Sequence, residues 1–397
     1  MKKAALSGAL ATLVALPALG IEVYNNEEKG ASVNIYGSLR GFLGGSGNLG
    51  DIGQANYAQS SNTGNFLIGF QNNSHFGIDT KYGKLTTKVE FGLYETGFLS
   101  AGNGPGLRKV YGTYDFGSAG KLTFGKLDTP TIEGGFQTNF ANNDAGGNGF
   151  GSITTGSRKL QVQYEHSGAK VAIIADEATA GSSAGSSLYR QGYAENSRLQ
   201  TFPRIALSYE SKLGDKGKLK AGITYKYYES KESAGGVSRK NVHAGHLLVG
   251  AKFGVGGDST LSTFFHYGIN GHLYSEQQTA QNKGLYGYDS TAINAGLWAQ
   301  RAGLLFEFGT KLNDTLSLAA GAGYQATFNG DGQRGKGSNT LQSIHGYQVY
   351  ANLPINVAKG FQVVPQLAFY DTIQTYRGAK ATHQSALVGL LRLKYDF

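Results

Sequence analysis

The chain has 397 residues, a formal net charge of +9, 61 glycines, 6 prolines and no cysteine. The lack of cysteine excludes a disulfide framework. After residue 20, no stretch approaches the ~18 apolar residues that a membrane-spanning helix requires. The positive charges are dispersed along the chain rather than clustered, which argues against nucleic acid as a partner.

The first 20 residues predict an export signal that is not part of the fold. Lys2 and Lys3 form a charged start, the run over 4–16 is mostly apolar, and small residues follow it. We therefore predict a signal peptide over 1–20, whose removal takes away two lysines and lowers the net charge from +9 to +7. An exported chain with many alternating segments and no membrane helix predicts a transmembrane β-barrel. A secreted β-sandwich or β-solenoid is the alternative.

The first predicted strand covers 33–43, where apolar residues or glycine occupy the odd positions and polar or aromatic residues occupy most even ones. Side chains alternate across a strand, so one face is apolar and the other polar. A long segment rich in Gly, Asn and Ser follows over 44–73. Strands over 74–81 and 84–94 then form a hairpin around the short turn at 82–83.

This hairpin unit recurs along the chain. Short turns of Gly, Asp, Asn and Ser are predicted near 82–83, 117–120, 167–168, 214–217, 256–258, 313–314 and 358–360. Longer polar loops are predicted near 44–73, 95–107, 127–157, 177–202, 230–241, 270–292, 329–342 and 374–383. These turns and loops connect 16 strands, with short turns on one side and long loops on the other, as in bacterial outer-membrane barrels. One hairpin more or fewer would change the count by two strands.

The last predicted strand covers 385–397 and has one apolar face that ends in Tyr395 and Phe397. Its other face turns polar at Arg392 and Lys394. An aromatic ending of this kind resembles the assembly signal of outer-membrane β-barrels. Because an open sheet edge cannot exist in lipid, a barrel needs a last strand that pairs with its first. We predict that this strand closes the barrel.

Four segments, in this order, resemble the general trimeric porins of Gram-negative outer membranes. They are Val-Asn-Ile-Tyr-Gly at 33–37, Ser-His-Phe-Gly-Ile at 74–78, Gly-Lys-Leu-Asp-Thr-Pro at 125–130, and the terminal Tyr-Asp-Phe. The resemblance spans the chain after the signal peptide. It implies an all-β fold: a transmembrane antiparallel β-barrel of 16 strands over 21–397, assembled as a homotrimer in which each subunit has its own pore. It also implies that loop 3, at about 127–157, folds inward and narrows the pore.

In this family, acids on loop 3 face bases on the opposite wall, and the two walls sort solutes by charge. The acidic candidates in this chain are Glu133, Asp128 and Asp144. Glu133 is favoured because the two glycines after it let the loop bend into the lumen. The basic candidates on inward faces are Arg40, His75, Lys88, Arg108, Lys126 and Lys159. For each base, a solvated charge without a special role is the alternative.

The predicted function is that of a porin, a water-filled channel for passive diffusion of small hydrophilic solutes and ions across a Gram-negative outer membrane. Outer-membrane lipid and lipopolysaccharide are its expected surroundings. The net charge of +7 predicts a mild anion preference. No cofactor or metal is expected, although the polar run at 142–144 could also hold calcium. No nucleophile, base and orienting group converge, which argues against an enzyme. A substrate-selective channel and a closed structural or adhesive barrel remain as alternatives.

Overall fold

A computed structural model describes residues 20–48, 64–71, 73–93, 105–140, 150–153, 158–175, 202–229, 241–274, 298–328 and 340–397. Helical structure in these ranges consists of short 3₁₀ turns at Gly117–Ala119 and Gly271–Tyr274. None of the helices in these ranges is long and apolar enough to cross a membrane. The predicted signal peptide falls almost wholly on residues outside these ranges, so it stays a prediction.

The described residues form one antiparallel sheet of 19 strand segments. In chain order they are β1 (Ile21–Asn26), β2 (Ala31–Asn48), β3 (Gly64–Phe70), β4 (His75–Tyr82), β5 (Leu85–Leu93), β6 (Pro105–Asp115), β7 (Lys121–Asp128), β8 (Arg158–His166), β9 (Ala169–Ala175), β10 (Arg204–Leu213), β11 (Gly217–Glu229), β12 (Asn241–Gly254), β13 (Ser259–Ile269), β14 (Gln300–Lys311), β15 (Ser317–Phe328), β16 (Thr340–Asn352), β17 (Ile355–Ala358), β18 (Phe361–Arg377) and β19 (Ala379–Asp396).

The sheet closes into a barrel of 16 strands, as predicted. Successive barrel strands pair with one another, and β19 pairs with β2 over the register from Ala386↔Asn48 to Asp396↔Ser38. β3 and β4 both pair with β2 and share one barrel position. β1 and β17 are short additions that pair with β2 and β18. Closure satisfies the backbone groups that an open edge would leave exposed.

The alternation of side chains separates an apolar outer face from a more polar inner one. On β19, Leu387 and Tyr395 are 41% and 49% exposed, whereas Val388, the residue next to Leu387, is fully buried. On β2, Leu39 is exposed while Tyr36 and Ser38 are buried. The predicted faces of the first and last strands are therefore confirmed. This pattern is that of a transmembrane barrel, in which every second residue faces lipid.

Three boundaries differ from the predictions. Most of the predicted loop at 44–73 lies outside the described residues, but β2 continues to Asn48 and β3 occupies 64–70, because their glycines pair with neighbouring strands. The predicted loop at 374–383 is instead a tight turn, since Gly378 adopts a φ of 69° that reverses the chain between β18 and β19. β1 was not predicted.

Candidate functional site

A cavity of about 600 Å³ lies against the inward faces of β2, β4, β5 and β6 and the start of the segment after β7. The charged side chains that line it come from six strands: Arg40, His75, Asp79, Lys88, Glu90, Arg108, Lys109, Asp128 and Arg158. Leaving histidine aside, five are cationic and three are carboxylates. The site is therefore polar and carries an excess of positive charge.

The carboxylates of the cavity lie beside cations on neighbouring strands. Asp79 and Lys88 are register partners on β4 and β5, with 3.2 Å between Oδ1 and Nζ. Glu90 accepts a hydrogen bond of 2.8 Å from Nε of Arg108 and one of 3.0 Å from the hydroxyl of Tyr36. These groups are held by rigid strands, so their positions in the cavity are set by the register of the barrel.

Asp128 is the acid at the end of β7, where the chain leaves the barrel wall. Its Oδ2 lies 2.7 Å from Nζ of Lys109, and its Oδ1 lies 3.3 Å from Nε of Arg158. One carboxylate thus faces two cations. Charge-assisted pairs of this kind position side chains well, although their net free energy is small where water reaches them.

The segment over 129–140 contacts inward-facing side chains on the far side of the barrel. Glu307 on β14 accepts hydrogen bonds of 2.5 Å and 2.7 Å from the backbone N–H and hydroxyl of Thr138. The hydroxyl of Tyr350 on β16 donates to the same carboxylate oxygen at 2.5 Å. Asn139 donates to the hydroxyl of Tyr370 on β18 at 2.7 Å. These bonds tie the last residues of the segment to three strands.

Two aromatic rings before and after residues 141–149 rest on glycines of the wall. A Cβ at Gly250 would lie 2.6 Å from the ring of Phe136, and a Cβ at Gly346 would lie 2.4 Å from the ring of Phe150. Phe136 also stacks on Phe264, with 5.6 Å between ring centroids. Only glycine leaves room for this approach, so the two rings pack directly on the backbone of these glycines.

The carboxylate of Glu133 turns back onto its own segment. It is fully buried and accepts hydrogen bonds from the backbone N–H groups of Phe136 and Gln137 at 2.6 and 3.1 Å. The hydroxyl of Ser152 donates to its other oxygen at 2.8 Å. Burial raises the pKa of this carboxyl, and the hydrogen bonds oppose that rise. Glu133 is not among the residues that line the cavity.

The structure brings together several of the predicted site residues and separates others. Those that line the cavity are Asp128, Arg40, His75, Lys88 and Arg108. Lys159 shares the inner face of β8 with buried Gln161 but lies outside the cavity lining. Lys126 pairs with the outward-facing Val110 and Leu160, which differs from its predicted inward position. Asp144 lies outside the described residues.

Four charged residues of the cavity were not among the predicted site residues: Asp79, Glu90, Lys109 and Arg158. Asp79 and Glu90 could have been found, because each alternates with outward apolar residues on a clear strand. Lys109 was missed because strict alternation from Arg108 places it outward. Arg158 was missed because it begins a strand directly after a long loop.

The terminal aromatics take part in closing the barrel. The backbone of Phe397 exchanges hydrogen bonds of 2.8 and 3.0 Å with Gly37 on β2. A Cβ at Gly37 would lie 2.4 Å from the Phe397 ring, so this ring packs directly onto the glycine. Tyr395 is 49% exposed on the outer face and lies 6.1 Å from Phe397 between ring centroids.

No protein-family model matches the chain, and no curated protein matches it either. Among solved structures, it is similar to the outer membrane channel DcaP of Acinetobacter baumannii, with a TM-score of 0.62, 16% identity and coverage of 94% of this chain and 99% of that one. The trimer form of OmpT from Vibrio cholerae gives a TM-score of 0.53 at 16% identity, with 93% and 100% covered. The anion-selective porin of Comamonas acidovorans gives 0.52 at 11% identity, with 92% and 100% covered. The chain therefore has the fold of the outer-membrane porins.

Proposed function

We propose that the chain is a porin of a Gram-negative outer membrane, through which small hydrophilic solutes and ions diffuse passively. The observation that carries this proposal is the cavity of about 600 Å³. It is lined by charged side chains from six strands of the barrel. A barrel of 16 strands encloses an aqueous lumen rather than a packed core. The predicted signal peptide would direct export and be removed from the mature chain.

The charges of the cavity support a preference for anions. Among the described residues that line it, five side chains are cationic and three are carboxylates, and each carboxylate lies within 3.3 Å of a cation. Fixed charges near an ion path bias the local concentration of permeating ions. The anion-selective porin of Comamonas acidovorans shares the fold, which is compatible with this preference.

We further propose that the segment over 129–140 is the inward-folded loop 3 and sets the narrowest part of the channel. Its hydrogen bonds to Glu307 on β14 and Tyr370 on β18 support this proposal, because both partners lie on the face opposite the lipid. The cavity would then be the passage left between the segment and the wall of β2–β6. In this arrangement Asp128 supplies the acidic charge, while Glu133 stabilises the bend of the segment.

The proposed assembly is a homotrimer surrounded by outer-membrane lipid and lipopolysaccharide. The trimer form of OmpT, which shares the fold, supports the oligomeric state. The exposed apolar side chains on the outer face, such as Phe124 at 61% and Leu367 at 56%, suit contact with lipid or with a neighbouring subunit.

Swelling of liposomes that contain the purified barrel would test the proposal. As a general porin, the chain should pass uncharged sugars at rates that fall steadily with size. The proposed anion preference further predicts that it passes a small carboxylate faster than a cation of equal size. A substrate-selective channel would pass one solute class and leave the others excluded. A folded, heat-modifiable barrel that passes none of these solutes would contradict the porin function and favour the closed structural or adhesive barrel.

A further inference from the structure

We propose that Lys109 is a specificity-determining residue of the channel, brought into the lumen by a β-bulge in β6. This inference rests on the proposed porin function and extends it to a residue that neither the alternation of the strand nor the porin resemblance identifies. It concerns the side of the cavity where β6 faces β5 and where β7 ends.

The register of β5 and β6 contains one extra residue. Phe91 pairs with Leu107 and Glu90 pairs with Lys109, so Arg108 is the extra residue in the register. Two residues on one strand then oppose one on its neighbour, which is a β-bulge. Leu107 and Val110 are both outward, at 43% and 39% exposed.

The bulge turns two consecutive basic side chains toward the lumen. Lys109 is the register partner of Glu90, which is buried and lines the cavity, so the two share the inner face. Arg108, the extra residue, also points inward and bonds to Glu90 at 2.8 Å. In a regular strand only one of two neighbours can face the lumen, and the other faces lipid. The bulge therefore adds one cation to the cavity.

Lys109 acts on Asp128, the acid at the end of β7. Its Nζ is 2.7 Å from Oδ2 of Asp128, and Arg158 approaches the other oxygen at 3.3 Å. With both cations present, this cluster has a net positive charge. Without Lys109, Arg158 alone would balance the carboxylate, and the cluster would become neutral. Lys109 thus gives this cluster its net positive charge beside Asp128.

Replacing lysine by glutamine removes this charge and keeps a side chain of similar length. For a unit charge roughly 10 Å from the ion path at the dielectric constant of water, Coulomb's law gives a change of about fourfold in the ratio of anion to cation permeability. The matched control is Lys126→Gln, because Lys126 also lies near the rim of β7 but pairs with outward-facing Val110 and Leu160.

The test measures reversal potentials of single channels under a salt gradient. We expect Lys109→Gln to lower the anion preference by about fourfold at low salt and Lys126→Gln to leave it unchanged. Adding Asp128→Asn to Lys109→Gln should restore the anion preference, because the cluster then keeps the cation Arg158 without an opposing carboxylate. Identical reversal potentials for Lys109→Gln and Lys126→Gln would overturn the inference.

A second measurement tests the bulge itself and does not depend on conduction. The chain has no cysteine, so single-cysteine variants can be labelled without background. In the folded barrel in lipid, a charged thiol reagent should react with both Arg108→Cys and Lys109→Cys and not with Val110→Cys, whereas a regular strand would expose only one of the first two to the lumen. Labelling of Val110→Cys alone would refute the bulge. Labelling as expected in a barrel that does not conduct would instead contradict the porin function and leave the position of Lys109 correct.

Discussion

Phe136 offers the sharpest test of how the segment after β7 is held. Its ring is fully buried, stacks on Phe264 and rests on Gly250. Truncation to alanine removes the ring from a packed site and leaves a cavity, which for phenylalanine typically costs about 3–5 kcal/mol. If this free energy acts on docking of the segment, the undocked population rises roughly a hundredfold to several thousandfold.

Limited proteolysis of the folded barrel in detergent would measure this change. Cleavage within 129–140 should accelerate in Phe136→Ala while the strands stay protected, since opening of the segment precedes cleavage. Single channels of the variant should show a larger or noisier conductance if the segment narrows the pore. The control is Phe124→Ala, because Phe124 is 61% exposed on the outer face of β7.

Equal cleavage rates in Phe136→Ala and Phe124→Ala would refute this reasoning. Such a result would mean that the hydrogen bonds of Thr138 and Asn139 hold the segment without help from the ring. Faster cleavage with unchanged conductance would keep the docking but contradict a role of the segment in narrowing the pore.

Three further predictions concern other contacts. Burial raises the pKa of Glu133, so its contribution to docking of the segment is fully present below the ordinary carboxyl pKa and is lost as the pH rises through the raised pKa. Protection of the segment from proteolysis should therefore fall with rising pH, and Glu133→Gln should remove this pH dependence. Gly346→Ala places a Cβ 2.4 Å from the ring of Phe150, so thermal unfolding should show a loss of about 1–3 kcal/mol. Gly37→Val forces the ring of Phe397 away from β2, so the yield of heat-modifiable, folded barrel should fall.

One glycine provides a matched control for both glycine substitutions. A Cβ at Gly47 would meet nothing within 4 Å, although this residue also lies in a strand. Gly47→Ala should therefore leave both the unfolding temperature and the folding yield nearly unchanged. A pH slope that persists in Glu133→Gln would assign the pH dependence to another group.

Much of the fold could be predicted because its signals are local. Alternation on the first and last strands identifies the outer face, and turns such as 167–168 need residues that accept positive φ, as Ser167 and Gly168 do at 48° and 83°. The sequence predicts a loop where β3 lies, because the surroundings are rich in glycine and polar residues. Its strand structure comes from pairing with β2, which is a tertiary effect that composition does not reveal.

The site was less predictable because its geometry depends on contacts between distant elements. The orientation of Glu133 follows from its bonds to Phe136 and Ser152, and nothing in the spacing of these residues shows that the carboxylate turns away from the cavity. In the sequence, Gly250 is only a glycine within a strand, and nothing there predicts that the ring of Phe136 packs against it. The bulge beside Arg108 does leave a signal, since two basic residues stand between two outward apolar ones.

Single-channel currents in a planar bilayer under a salt gradient test the central claim most directly. A trimeric porin should give large open steps that close in threes. Its reversal potential should lie on the anion side, because five cations and three carboxylates line the cavity. A reversal potential on the cation side would contradict the proposed role of the cavity. A folded barrel that gives no steps would contradict the channel itself.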